Sequence, residues 1–202
     1  TRLGWLDGLP APPVQAQSTV WNYRIEMEAT ERRELVALDM PNAAPDGARL
    51  RFDGSLTANR PLSAPTRWDI RSSPPATFEP ELRPTLRNLA LELPPDLNPR
   101  TRDLALQWRR EAGDDDMAVV NRALQWIRDE FAYTLDVPLP GRHAVDDFLF
   151  GTREGYCEHF SSAFAVLMRN AGTPTRIVTG YAGGYRNPIG DYWVVRRMDA
   201  HA

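Results

Sequence analysis

The hydrophobic period changes partway along this chain, and that change limits the folds open to it. Over residues 18–78 apolar residues recur at every second position: Trp21, Tyr23, Ile25 and Met27 alternate with Val20, Asn22, Arg24, Glu26 and Glu28, and Leu50-Arg51-Phe52-Asp53 continues in the same style. A period of two places one set of side chains on each face of a strand, so this part is expected to form a half-exposed antiparallel sheet or small sandwich. Residues 35–38, 55–58 and 66–70 supply further strands, and Asn42 to Gly47 and Pro61 to Pro65 supply the turns. The charges at every second position are a solvated face. Asn88-Leu89-Ala90-Leu91-Glu92-Leu93 alternates once more before Pro94-Pro95, which marks a boundary.

Beyond that boundary the period is helical. Asn98 is expected to cap a helix with Pro99 at its first position, running through Leu104 and Trp108 to Gly113. Asp114-Asp115-Asp116 opens the next helix, where carboxylates favour the positive end of the dipole, and Val120, Leu124, Ile127 and Phe131 line one face. The aspartate run reads as capping, since it lacks the interspersed ligands of a calcium loop. Tyr133-Thr134-Leu135 reads as a short strand, Pro138 to Gly141 as a loop, and Asp146 to Phe150 as one apolar turn.

The sole cysteine follows. Cys157 stands after turn and polar residues (Gly151, Thr152, Arg153, Glu154, Gly155) and before a helical run of Phe160, Phe164, Leu167, Met168 and Ala171, closed by Gly172 and Pro174. It therefore occupies the first turn, where unpaired N–H groups and the dipole favour a thiolate over a thiol. Residues 175–181 and 191–197 read as strands, joined by glycine and proline turns, and lead to Asp199-Ala200-His201. A thiol on a helix N-terminus facing a base on a neighbouring strand is one way to build a thiol hydrolase or transferase. The plain alternative is a cysteine that packs as a small hydrophobe. His159, two residues along the helix, points away from Cys157 and suits packing; His143 falls in an exposed loop; Glu158 complements the dipole. Cys157, His159 and His201 fit no common zinc spacing, so no metal and no cofactor is expected.

Composition excludes other chemistries. The net charge is −3 and no basic cluster is interleaved with aromatics, which argues against nucleic acid as a partner. All 24 basic residues are arginine, so a phosphate-loop lysine, a Schiff base and a lysine general base are absent. Arginine-biased coding accounts for this; a consequence is that the region offers no lysine to an enzyme that joins acyl groups to amines. No apolar run approaches the ~18 residues needed to span a bilayer.

Gly155-Tyr156-Cys157 opening a helix, then Gly172 to Tyr181, then Asp199-Ala200-His201-Ala202, resembles the transglutaminase-like core, and specifically that of the bacterial membrane-anchored transglutaminase-like proteins of the TgpA type. The resemblance implies an α+β protein: an arm over residues 1–17, a β-rich domain over 18–93, and over 94–202 a papain-like core with the cysteine helix packed on an antiparallel sheet, incomplete at its C-terminus. It implies Cys157 as nucleophile and His201 as base. The third member, an aspartate on the following strand, is not in the sequence, and Asp199 is a poor replacement for it. The implied reaction is acyl transfer from a protein glutamine to an amine through a thioester. Hydrolysis at the same site, as protease or deamidase, is the nearest alternative, and a non-catalytic binding module that keeps the fold is the other. The resemblance further implies a periplasmic or extracytoplasmic position, with membrane anchors outside this region.

Overall fold

A computed structural model describes residues 14–16, 19–38, 40–78 and 81–202; apart from 14–16, the expected arm lies outside the described residues. The chain divides into two compact units, Thr1–Leu82 and Arg83–Ala202.

The first unit is built of short antiparallel ladders. Strand β1 (Val14–Ala16) pairs with β7 (Pro75–Phe78), β2 (Trp21–Met27) pairs with β6 (Thr66–Ser72), and β5 (Leu56–Ala58) lies between β3 (Glu34–Leu35) and β4 (Ala48–Leu50). The period-two reading is realised most fully in β2 and β6. Trp68 and Ile70 are buried with Leu56, and Tyr23, Ile25, Met27, Leu35 and Leu50 pack against them. On the opposite face Arg24 grips Asp69 and Arg67 grips Glu26, each directly across the ladder. Tyr23 closes the inner face by sharing a 2.6 Å hydrogen bond with Ser72 and accepting the Leu38 N–H.

The second unit is helical first. Helix α1 (Pro84–Leu89) occupies part of the stretch expected as a strand. Pro84 presets the first helical position, and burial of Leu86 and Ala90, four apart on one face, outweighs three alternating leucines. Helices α2 (Pro99–Ala112) and α3 (Asp116–Glu130) follow where expected, with Gly113 at φ 61° ending the first and Asp115 accepting the Ala118 N–H to cap the second; Asn98, expected to cap α2, stands before it at φ 52° and gives it no side-chain cap. The buried face of α3 is shifted from the expected one: Val119 and Ala123 are buried, with Trp126 packed beside them, Val120 and Phe131 pack at its border, and Leu124 is exposed. Counting only large apolar side chains hides a face built around an alanine, whose small size admits the neighbouring helix.

After α3 come β8 (Ala132–Tyr133), the short α4 (Ala144–Asp147) continued by a π-helical turn (Phe148–Thr152), β9 (Glu154–Gly155) and α5 (Cys157–Asn170). Helix α5 is the centre of the unit. Leu167 and Met168 are fully buried against Ala105, Trp108, Val119 and Ala123, and Ala163 packs with Val145, Phe148 and Leu149. Each fully buried Leu or Met contributes about 1.5–3 kcal/mol. The far end of α5 is clamped by Arg169, which donates to the carbonyls of Thr175 and Glu92. Four two-residue strands close the chain: β10 (Gly180–Tyr181) pairs with β13 (Ala200–His201), and β11 (Tyr185–Arg186) with β12 (Trp193–Val194). These are shorter than the runs expected at 175–181 and 191–197. Val178, Trp193 and Val195 along them are exposed, so little burial supports longer ladders.

Candidate active site

Cys157 is the first residue of the fourteen-residue α5 and is half-buried. A parallel pair delivers it: Ala132 N–H donates to the Arg153 carbonyl at 2.9 Å and Thr134 N–H to that of Gly155 at 2.8 Å, tying β8 beside β9. Arg153, at φ 54°, turns the chain from the π-helical turn into β9, and Tyr156 enters the helix with an extended backbone and no side-chain cap. The Tyr156 carbonyl takes the N–H groups of His159 and Phe160, while those of Cys157 and Glu158 have no acceptor among the described residues. Two donors are thus left beside the thiol.

An aromatic chain backs this turn. Tyr156 meets the His159 ring edge-on at 4.4 Å, His159 lies 5.8 Å from Phe148, and Phe148 contacts Phe160 and Phe131 at 5.1 and 5.2 Å. Phe131 continues to Trp126, which meets Trp108 in the core. His159 is therefore a packing residue, seated over Gly155: a Cβ on that glycine would lie 2.8 Å from the His159 Cβ. The sequence reading missed this chain, although the signal was present in the crowding of Phe131, Tyr133, Phe148, Phe150, Tyr156 and Phe160 around the cysteine.

His201 lies on β13 opposite Gly180, with its side chain exposed. The structure places it and Cys157 on separate elements, and no hydrogen bond joins thiol to imidazole among the described residues. Asp199 is turned elsewhere. Its carboxylate accepts the Arg196 N–H at 2.7 Å and the Arg196 guanidinium at 3.1 Å, and this contact holds its carboxyl below the usual carboxylate range. Arg196 is correspondingly raised by the Asp199 carboxylate. Asp199 thus pins the turn before His201 and makes no hydrogen bond to the imidazole. His143, expected in the solvent, is half-buried and its Nδ1 accepts the Asn98 N–H at 3.0 Å. Among the described residues no three His, Cys, Asp or Glu side chains are grouped to hold a metal ion, and no helix is long and apolar enough to cross a membrane.

The structure thus keeps the order that the sequence resemblance rests on, a helix beginning at Cys157 and a later strand bearing His201. The Transglutaminase-like superfamily matches residues 102–202 and the TgpA N-terminal domain matches residues 2–79, and the chain belongs to the transglutaminase-like superfamily. It is 40% identical over 181 residues to a protein-glutamine gamma-glutamyltransferase of Pseudomonas aeruginosa, covering 89% of this chain and 27% of that protein. It is 35% identical over 127 residues to the uncharacterized protein YebA of Bacillus subtilis, covering 58% of this chain and 17% of that protein. The fold is that of the crystal structure of the periplasmic domain of TgpA from P. aeruginosa, at a TM-score of 0.88 and 38% identity over 93% of this chain and 65% of that one. The same domain bound to ethylmercury gives 0.87 and 35%, over 94% and 68%. The chain thus spans about a quarter or less of the curated relatives it matches.

Proposed function

We propose that this chain carries the thiol machinery of a protein-glutamine acyltransferase on the periplasmic side of a membrane, with Cys157 as nucleophile and His201 as base. The observation that carries the reading is the position of Cys157 at the first residue of α5, half-exposed, beside two backbone N–H groups without acceptors among the described residues. The name of the P. aeruginosa relative and the periplasmic origin of the solved domains support the substrate class and the location.

In the proposed reaction the Cys157 thiolate attacks the carboxamide carbon of a glutamine side chain. A C–S bond forms, the carbonyl oxygen becomes an oxyanion, and the Cys157 N–H donates to it. Collapse breaks the C–N bond, and the nitrogen leaves as ammonia with a proton from the His201 imidazolium. A primary amine then attacks the thioester and gives its proton to His201; the C–S bond breaks and an isopeptide remains. Water in place of the amine yields the glutamate side chain instead, and which acceptor wins depends on exclusion of water from the thioester. The expected domain division, an arm over 1–17, a β-rich domain over 18–93 and a core over 94–202, belongs to the same proposal.

The test is incorporation of a labelled primary amine into a glutamine-bearing protein, with ammonia release measured in parallel. It is run on the chain extended to the length of the relatives' periplasmic domain, with Cys157→Ala and His201→Ala as controls. Amine incorporation lost in both variants supports the transferase. Ammonia without incorporation assigns a hydrolase, and neither product, with Cys157 alkylated no faster than a free cysteine, leaves a non-catalytic module.

A further inference from the structure

We propose that the first unit pairs with a second copy of itself through the outer edge of β2, forming one sheet across a two-fold axis at Ile25. Strand β2 is hydrogen-bonded to β6 along all of Trp21–Met27, yet it is the end of that two-stranded sheet, and its other edge meets no strand among the described residues. Along that edge the N–H and C=O groups of every second residue point away from β6 and are a template for another strand. Proteins commonly guard such an edge with charges, and the sequence here decides which strand fits.

The charges of this edge are self-complementary. In an antiparallel pairing of two β2 strands centred on Ile25, Ile25 faces Ile25 of the second copy, Tyr23 faces Met27, and Arg24 faces Glu26. The apolar residues stay on the inner face that covers Trp68 and Ile70, and the charged ones stay on the outer face. The ladder within one copy already sets Asp69 across from Arg24 and Arg67 across from Glu26. Pairing two copies therefore extends each row to Asp69, Arg24, Glu26 and Arg67, in alternating sign, and does so twice by symmetry. Any shift of register by two residues sets Arg24 against Arg24, or Glu26 against Glu26, of the other copy. Directly opposed like charges are unfavourable, so the sequence selects both the partner and the register. At the ends Asn22 faces Glu28, which adds no repulsion.

Sedimentation of the intact chain over the micromolar to submillimolar range tests the pairing. The expected result is a monomer–dimer equilibrium that weakens as salt is raised, because the new ion pairs are exposed, and that is lost in Glu26→Arg. The register is tested by oxidising a mixture of Asn22→Cys and Glu28→Cys proteins, both in a Cys157→Ser background. A disulfide forms in the mixture and in neither protein alone, since residue 22 of one copy faces residue 28 of the other. A monomer at every concentration, a dimer indifferent to Glu26→Arg, or a dimer that yields no mixed crosslink overturns the proposal.

Discussion

Asn98 and Asp146 cap each other's helices. The Asn98 side-chain oxygen accepts the N–H groups of Val145 and Asp146 at 3.1 and 3.3 Å, while the Asp146 carboxylate accepts the Arg100 and Thr101 N–H groups at 3.0 and 2.8 Å and the Thr101 hydroxyl at 2.6 Å. Asn98 itself sits in the left-handed region at φ 52°, so its side chain cannot cap α2 and serves α4 instead. The exchange locks α2 to the segment that runs on into β9 and Cys157.

Asp146 and Thr101 are buried, so removing the carboxylate strands three donors. Asp146→Ala is expected to lose about 3 kcal/mol, combining a lost cap with unsatisfied buried groups. Asn98→Ala is expected to lose about 1–2 kcal/mol. Urea denaturation of both variants and their double mutant checks this, and the losses should not add, because the two residues share one network.

Gly155 is required by close approach, since its φ is ordinary. A methyl there meets the His159 side chain at 2.8 Å and Phe148 at 3.1 Å, both fixed in the aromatic chain. Gly155→Ala is expected to cost about 1–3 kcal/mol, the usual range for overpacking. It should also change the rate of iodoacetamide alkylation at Cys157, whereas Gly151→Ala, where a Cβ meets nothing, should change neither.

Local periodicity was enough to read β2, β6, α2, α3 and α5, and the first-turn position of Cys157, because each is decided by residues within one or two turns of itself. Contacts between distant segments were not legible. Asp146 lies far from the helix start it caps, so Asn98 read as an ordinary cap and His143 as a solvated loop residue. The face of α3 was misjudged because Ala123 carries no periodic signal of its own. Alternation at residues 88–93 was outweighed by Pro84 and the burial of Leu86, neither of which a two-residue period registers.

The turn before His201 carries a pH dependence whose sign follows from Asp199. Its carboxyl is held below the usual range by the Arg196 guanidinium and N–H, so the contact is present above the unfolded carboxyl value of about 3.9 and is lost as pH falls through the lower folded value. Amide resonances of Arg196 and His201 are expected to shift together with an acid midpoint below that of an unpaired aspartate. Asp199→Asn should abolish this step, and a midpoint at or above the ordinary value would contradict the assignment.

Arg109 is the residue for which an arginine-only composition matters structurally. Its Nε donates to the Ala171 carbonyl at 2.6 Å, Nη1 to the Gly113 carbonyl at 3.0 Å, and Nη2 to the Thr173 hydroxyl at 2.8 Å and to Asp116. One guanidinium thereby joins the end of α2, the start of α3 and the end of α5, with its side chain 23% exposed. A lysine ammonium reaches one such cluster as a point charge but cannot spread donors across a planar fork. Arg109→Lys is therefore expected to retain the charge yet lose about 1.5–3 kcal/mol, the range for hydrogen bonds to charged groups. Arg186→Lys, at an exposed pair with Asp191, should lose no more than about 1 kcal/mol. Thermal unfolding of the two variants side by side checks the contrast, and equal losses would show that charge alone, without the fork, holds the three helix ends together.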